Sequence, residues 1–155
     1  MKTLKAVALA AAIAMPAAAH AEIVASNPFG VMNAMQNFGM LATLATDNDG
    51  DPKIESRVSQ SKFSVFFYGC DDNASNCTSI QFSAGYDLTD GITFERANEW
   101  NRQKRYAKVF VDDELDPFLR MDVNLDFDGV GDENFEDSLD LWRLLVEDFE
   151  EFIDW

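Results

Sequence analysis

The sequence predicts a single α+β domain in which an antiparallel sheet packs against helices. The predicted order is one helix, three or four strands, a second helix, two strands and a final helix. Three observations support this prediction. Strand-like alternation is confined to stretches that lie between helix-like stretches. Turns rich in Asp, Asn and Gly join the neighbouring strands. The strands are grouped rather than alternating singly with helices, which favours α+β over a parallel α/β fold.

The first 21 residues have the pattern of a secretory signal peptide. Lys2 and Lys5 precede an alanine-rich apolar run that ends at Ala19-His20-Ala21, a small-x-small cleavage site. We therefore expect cleavage before Glu22, one domain over residues 22–155 and a periplasmic or secreted location in a bacterium. The run is too short for comfortable passage across about 30 Å of hydrocarbon, so no stable membrane insertion is expected.

The composition argues against some classes of binding partner and against some kinds of catalytic and metal site. The chain has 12 basic and 28 acidic residues, a formal net charge of −16, and losing Lys2 and Lys5 would leave ten cations and a charge of −18. Such a charge opposes binding to nucleic acid or to an anionic membrane. Cleavage would also remove His20, the sole histidine, and with it His-based nucleophilic catalysis and His-containing zinc sites. We predict no cofactor and no metal.

The first half of the chain reads as one helix and up to four strands. Asn27 to Phe38 is predicted to be a short helix, with proline in its first turn. A strand follows and ends at the turn Asp47 to Pro52, from which a weaker strand returns. Residues 62–70 and 78–86 alternate strongly and predict a hairpin.

The second half reads as a helix, two strands and a long helix. Thr93 is the predicted cap of a helix that runs to Tyr106. Two strands then flank an acidic turn, and we expect one apolar face to carry Met121, Val123, Leu125 and Phe127. From Asp132 onward, apolar residues recur at spacings of three or four and predict an amphipathic helix. They are Phe135, Leu139, Trp142, Leu145, Phe149 and Phe152.

Cys70 and Cys77 are the only two cysteines. A structural zinc site needs four ligands, and a thioredoxin-like redox pair needs Cys-x-x-Cys at a helix start. Two cysteines near the ends of one hairpin loop in an exported domain most simply form a disulfide. A labile or regulatory bond is the alternative.

Acidic clusters raise two further hypotheses. The stretch from Asp122 to Glu133 has oxygen ligands at several EF-hand positions, but Phe127 stands where the loop needs glycine. A solvated sheet face is the favoured interpretation, and weak divalent-cation binding is the alternative. Carboxylate pairs could also support a hydrolase of envelope sugars, although no pair is singled out by the sequence.

The segment from Arg96 to Lys108 holds half of the ten cations expected in the mature chain. The favoured interpretation is that this basic helix pairs with the acidic final helix. The alternative is a surface that recognises a partner. Trp100 and Trp142 are expected to fill the core, and Asn98 and Asn101 to tie the helix to the sheet edge. The candidate partner-binding residues are Arg96, Trp100, Asn101, Arg102, Lys104 and Arg105.

Several segments together resemble the YbjN family. They are FYGCDDNASNCTSIQFSAGYDL, then ANEWNRQKRYAKVFVDDELDPFLRMDVNLDFDGV, then an acidic helix rich in Phe, Trp and Leu. That family is described as bacterial sensory transduction regulators, and its fold is similar to that of type III secretion chaperones. The resemblance covers roughly residues 27–153 and implies protein binding or regulation rather than a reaction.

The leading functional expectation is an exported, non-enzymatic domain that binds a protein or peptide of unknown identity, with a chaperone-like or sensory role. It would use a sheet face or a sheet edge, and a homodimer is a candidate assembly. The alternatives are a carboxylate-based envelope hydrolase and a weak binder of divalent cations.

Overall fold

The computed structural model describes residues 22–155; the predicted signal peptide, residues 1–21, lies outside the described residues. The described chain forms helices α1 (Pro28–Asn37), α2 (Phe94–Gln103) and α3 (Asp132–Ile153). Its strands are β1 (Glu22–Ile23), β2 (Ala42–Thr46), β3 (Pro52–Val58), β4 (Ser61–Tyr68), β5 (Ser79–Gly85), β6 (Lys108–Val111), β7 (Pro117–Asn124) and β8 (Val130–Gly131).

Six strands form one antiparallel sheet in the order β2-β3-β4-β5-β7-β6. The prediction of an α+β domain with an antiparallel sheet on helices is confirmed. Strands β1 and β8 form a separate antiparallel pair that the sequence analysis did not predict. Each is two residues long, too short for an alternation to show. The likeness to secretion chaperones stays a prediction.

One face of the sheet is buried beneath α3. In register across the sheet lie Ile54, Val65, Phe82 and Met121, all of them buried. Trp142 of α3 packs on this face, with ring centroids 5.6 Å from Phe63 and 5.5 Å from Phe82. The predicted apolar side of α3 is confirmed: Phe135, Leu139, Trp142, Leu145 and Phe149 are buried and Phe152 packs against them.

Helix α2 lies beside the C-terminal half of α3. Thr93 caps it as predicted, because its Oγ1 accepts from the amide of Arg96 at 3.1 Å. The Trp100 ring centroid lies 4.9 Å from that of Phe149 and 5.4 Å from that of Phe152. Trp100 and Trp142 are therefore both core residues, as predicted.

A buried carboxylate joins α3 to the turn between β3 and β4. Glu150 is only 5% exposed. Its oxygens accept from the hydroxyls of Ser59 and Ser61, both at 2.5 Å, and from the amide of Gln60 at 3.2 Å. Burial raises the pKa of the neighbouring Tyr86 to about 12, and the charge of Glu150 adds to the rise. A tyrosine phenol is already protonated at neutral pH, and this rise in the pKa extends the protonated range of Tyr86 to higher pH.

Two predicted features are wrong in detail. Helix α2 ends at Gln103 rather than Tyr106, because Lys104 is extended and Ala107 turns the chain with a φ of 48°. Phe127 is 90% exposed instead of sharing the apolar face of β7. The strand ends at Asn124, and the amide of Gly129 then closes a turn by donating to the carbonyl of Asp126 at 2.9 Å. That turn leads into β8 and its pairing with β1.

Helix α3 is the longest helix of the described chain, with 22 residues, and it carries many acids. Among residues 22–155, no helix combines the length and apolarity needed to cross a membrane.

Candidate interaction surface

The face of the six-stranded sheet opposite the helices is open to solvent. Along β4, outward residues from Lys62 to Tyr68 are exposed or half-buried, while the inward ones are buried. Strands β5 and β7 repeat this alternation. Side chains that are paired across strands share a face, so they form one surface, here called the open face. Its residues are Lys53, Glu55, Arg57, Lys62, Ser64, Phe66, Tyr68, Gln81, Ser83, Gly85, Lys108, Phe110, Phe118, Arg120 and Asp122.

A shallow concavity of about 420 Å³ lies at the middle of the open face. Ser64 and Ser83 are paired across β4 and β5 and form its floor. Lys62, Phe66 and Phe118 stand at its sides. The lack of a side chain at Gly85 makes room for the Phe118 ring, since a Cβ there would come within 2.8 Å of Phe118 Cε1. The depression therefore combines hydroxyl groups, aromatic rings, a cation and the carboxylate of Glu55, which also lines it.

The net charge of the open face is positive, whereas the net charge of the whole chain is negative. The open face holds five cations and two acids on a chain of net charge −16. Both acids already have partners: Glu55 lies 3.0 Å from Lys53 Nζ, and Asp122 accepts from Gln81 at 2.8 Å. Lys108 donates to carbonyls at the end of α2, at 2.6 and 3.0 Å.

Three cations of the open face remain: Arg57, Lys62 and Arg120. None of them makes an ion pair with a carboxylate of residues 22–155. The Arg120 guanidinium carbon lies 5.5 Å from the Phe110 ring centroid and 5.6 Å from that of Phe118. Its Nε is buried without a hydrogen-bond partner. Of these three cations, Lys62 lines the concavity, while Arg57 and Arg120 lie beside it, paired in the strand ladders with Lys62 and Ser83.

The basic segment predicted from sequence lies on α2, and several of its side chains already have partners within the domain. Arg96 donates to Glu99 and to the carbonyl of Phe152, both at 2.8 Å, and Lys104 pairs with Asp148 of α3 at 2.6 Å. The Trp100 indole donates to the carbonyl of Ala107 at 3.2 Å. These contacts give Arg96, Trp100 and Lys104 partners within the domain, although the Arg96 side chain is 44% exposed.

Arg102 and Arg105 are the remaining cations among the six predicted partner-binding residues. Both are exposed, and neither pairs with a carboxylate in the described part of the chain. Partner binding by α2 stays a prediction, and these two side chains are the ones free to serve it.

Asn101 occupies the edge of the sheet, as predicted. Its side-chain amide donates to the carbonyl of Val109 at 3.0 Å, and its oxygen accepts from the Val109 amide at 2.8 Å. Both outward backbone groups at the middle of edge strand β6 are therefore satisfied by α2. A strand from another chain cannot add there without displacing Asn101.

The disulfide between Cys70 and Cys77 is present, which confirms that prediction. It closes the loop between β4 and β5. Inside the loop, Asp71 accepts from the side chain of Asn76 at 2.8 Å and from the amides of Ser75 and Asn73. These hydrogen bonds, that from Asn76 first, lower the pKa of the Asp71 carboxyl. The loop is ordered by its own polar contacts as well as by the bond.

Replacing Cys70 and Cys77 together by serine should lower the free energy of unfolding by about 2.5 kcal/mol, since the open chain regains loop entropy. Urea denaturation of the oxidised protein and the double variant measures this difference. Reductant should destabilise the native protein and leave the double variant unchanged. Loss of partner binding in a double variant that is still folded would give the loop a functional role instead.

The acidic residues of the described chain do not form a metal-binding cluster. A depression of about 310 Å³ near the end of α3 is lined by Glu147, Glu150, Glu151 and Asp154. Both oxygens of Glu150 already accept hydrogen bonds, which ties that carboxylate to a structural role. Within residues 22–155, no three His, Cys, Asp or Glu side chains are grouped closely enough to hold a metal ion.

Sequence reasoning located the basic segment on α2 but missed the cations of the open face. Arg57 and Lys62 flank the tight turn between β3 and β4, and Arg120, distant from them in sequence, joins them only through strand register. A usable signal is the second set of residues on each strand: Lys62-x-Ser64-x-Phe66 is an outward face with an aromatic residue and a cation.

Comparison with known proteins gives one match. The profile of the YbjN family, described as "Putative bacterial sensory transduction regulator", matches residues 30–155. No curated protein and no solved structure matches the chain. The matched range includes all five cations of the open face, α2 and the disulfide loop.

Proposed function

The chain belongs to the YbjN family, and from this premise we propose that it is an exported, non-enzymatic regulatory domain that binds a protein partner through the open face. The observation that carries the proposal is the concavity of that face with its unpaired cations. A solvated face is ordinary for an antiparallel sheet. Exposed aromatic rings and uncompensated charge around one depression are the features of a binding surface.

Export is supported by two independent features. Residues 1–21 have the charged, apolar and small-residue regions of a signal peptide. The disulfide suits an oxidising compartment such as the bacterial periplasm. We propose a periplasmic location on this basis.

A binding role is also supported by the residue types present and by the positions of the polar side chains. The chain after residue 21 contains no histidine, so the common near-neutral proton carrier is missing. The most buried carboxylate, that of Glu150, is held by three donors and stabilises a turn. The free polar groups lie on an outward surface, where they can contact another molecule.

Site-specific photocrosslinking in the producing bacterium tests the proposal. A photoreactive amino acid replaces Tyr68, which is 46% exposed at the end of the open face. We expect one discrete adduct with another protein in the periplasmic fraction. The matched control places the same group at Leu144 of α3, which is 44% exposed on the helical side. Equal adducts from both positions, or none from Tyr68 under several growth conditions, would count decisively against the proposed function.

A further inference from the structure

Two cations face each other across β3 and β4 on the open face. Arg57 and Lys62 are directly paired in the ladder, where side chains lie about 5 Å apart. Like charges in this position destabilise a sheet. The chain has 28 acidic residues against 12 basic ones, yet none of those acids neutralises this pair in the described structure. An anion bound at this position would remove the repulsion.

Arg120 is a further cation of the open face that makes no ion pair in the described structure and could bind an anion. Strands β4 and β7 flank β5, so Lys62 and Arg120 lie on the order of 10 Å apart. The concavity with Ser64, Ser83 and the Phe118 ring is between them. Side chains of an extended peptide alternate between its two sides, so residues i, i+2 and i+4 face the sheet together, and i to i+4 spans about 13 Å. Two carboxylates at i and i+4 could each reach a cation while an apolar side chain at i+2 enters the concavity.

The surrounding charge argues for a short acidic segment rather than a long polyanion. Screening limits the reach of charges to about 8 Å at physiological ionic strength, so a short ligand feels mainly the local cations. A nucleic acid or an anionic membrane would extend beyond them over a molecule of net charge −16. The cationic area is also small, with three unpaired side chains.

We propose that the open face binds an extended acidic peptide segment of a partner protein. The segment carries two carboxylates four residues apart, which pair with Lys62 and Arg120, and an aromatic or aliphatic side chain midway between them on the same side. This inference rests on the function proposed above and specifies the chemistry of the partner. Arg57 reinforces the site at Lys62, and Phe110 and Phe118 hold the Arg120 guanidinium in place.

The test selects ligands from a randomised library of peptides about 12 residues long, displayed on phage, with the purified oxidised protein as bait. We expect the enriched peptides to share two acids flanking an apolar residue. A labelled synthetic copy of the best peptide then gives Kd by fluorescence anisotropy. Its version with Asn and Gln in place of Asp and Glu should bind at least about tenfold more weakly.

Two variants locate the site. Lys62→Glu should weaken peptide binding by at least about tenfold and at the same time raise Tm, because it converts a like-charge pair with Arg57 into an opposite-charge pair. The matched control changes Arg143 of α3, a cation outside the open face and outside α2, to Glu. This control alters net charge equally and should change Kd by less than about twofold.

Three outcomes would overturn this inference. One is enrichment without acidic residues, or no enrichment at all. Another is equal weakening by Lys62→Glu and by Arg143→Glu. The third is a concentration-dependent dimer that Lys62→Glu abolishes, which would assign the open face to a second copy. If Tyr68 still crosslinks to a partner and Lys62→Glu leaves the adduct unchanged, the proposed function stands and the acidic segment is wrong.

Discussion

Replacing Trp142 by alanine should lower the free energy of unfolding by about 3–5 kcal/mol, the range for removing a large buried aromatic side chain. Trp142 is fully buried at the point where α3 meets the sheet, and it contacts both Phe63 and Phe82. Alanine would leave a cavity between the two layers that rigid strands cannot fill. Urea denaturation followed by circular dichroism measures the loss.

Two further variants make this prediction specific. Trp142→Phe should cost less than half as much, because the indole N–H has no hydrogen-bond partner whose loss must be compensated. Leu144→Ala, at an exposed site on the same helix, should change stability by less than about 1 kcal/mol. A Trp142→Ala loss no larger than the Leu144→Ala loss would show that α3 does not anchor the core there.

Glu150→Ala should destabilise the protein by about 2–4 kcal/mol, since hydrogen bonds to a buried charged group are among the strong ones. The hydroxyl of Ser61, only 2% exposed, would lose its acceptor, and so would the amide of Gln60. The turn between β3 and β4 would then be released from α3. Hydrogen exchange at Gln60 should accelerate together with the loss of stability.

The neighbouring exposed residue supplies the control. Glu151→Ala removes a carboxylate from the same helix turn without touching the serines and should stay within about 0.5 kcal/mol of the native protein. Glu150→Gln keeps the shape and one acceptor oxygen, so an intermediate loss is expected. If the Ala variants at 150 and 151 behave alike, the hydrogen bonds to the turn contribute little to stability.

The sequence predicts the buried half of the fold well, for a physical reason. Burial on one side imposes a period of two on β4 and β5 and a period near 3.6 on α3, and those periods are local properties of the chain. Trp100 and Trp142 could be assigned to the core on that basis. Asn101 could be assigned to the sheet edge because it follows Trp100 directly in α2.

The open face could not be predicted in the same way. Arg120 lies beside Ser83, and Arg57 beside Lys62, only because particular strands pair in a particular register. Register between strands distant in sequence leaves no local pattern. The exposure of Phe127 and the early end of α2 have a similar origin. Each depends on a contact made elsewhere, the β1–β8 pairing in one case and the Trp100–Ala107 hydrogen bond in the other.

The contact between Asn101 and Val109 limits how copies of this protein can polymerise through their sheets. A fibre grows when each subunit offers two edges, one to the subunit before it and one to the next. Here the β6 edge is blocked at its middle, which leaves β2 as the other border of the sheet. At the β2 border, Gln36 of α1 donates its side-chain amide to the carbonyl of Ala42 at 2.9 Å. A helix side chain therefore holds a backbone group at each border of the sheet, and a strand added at either border has to compete with it.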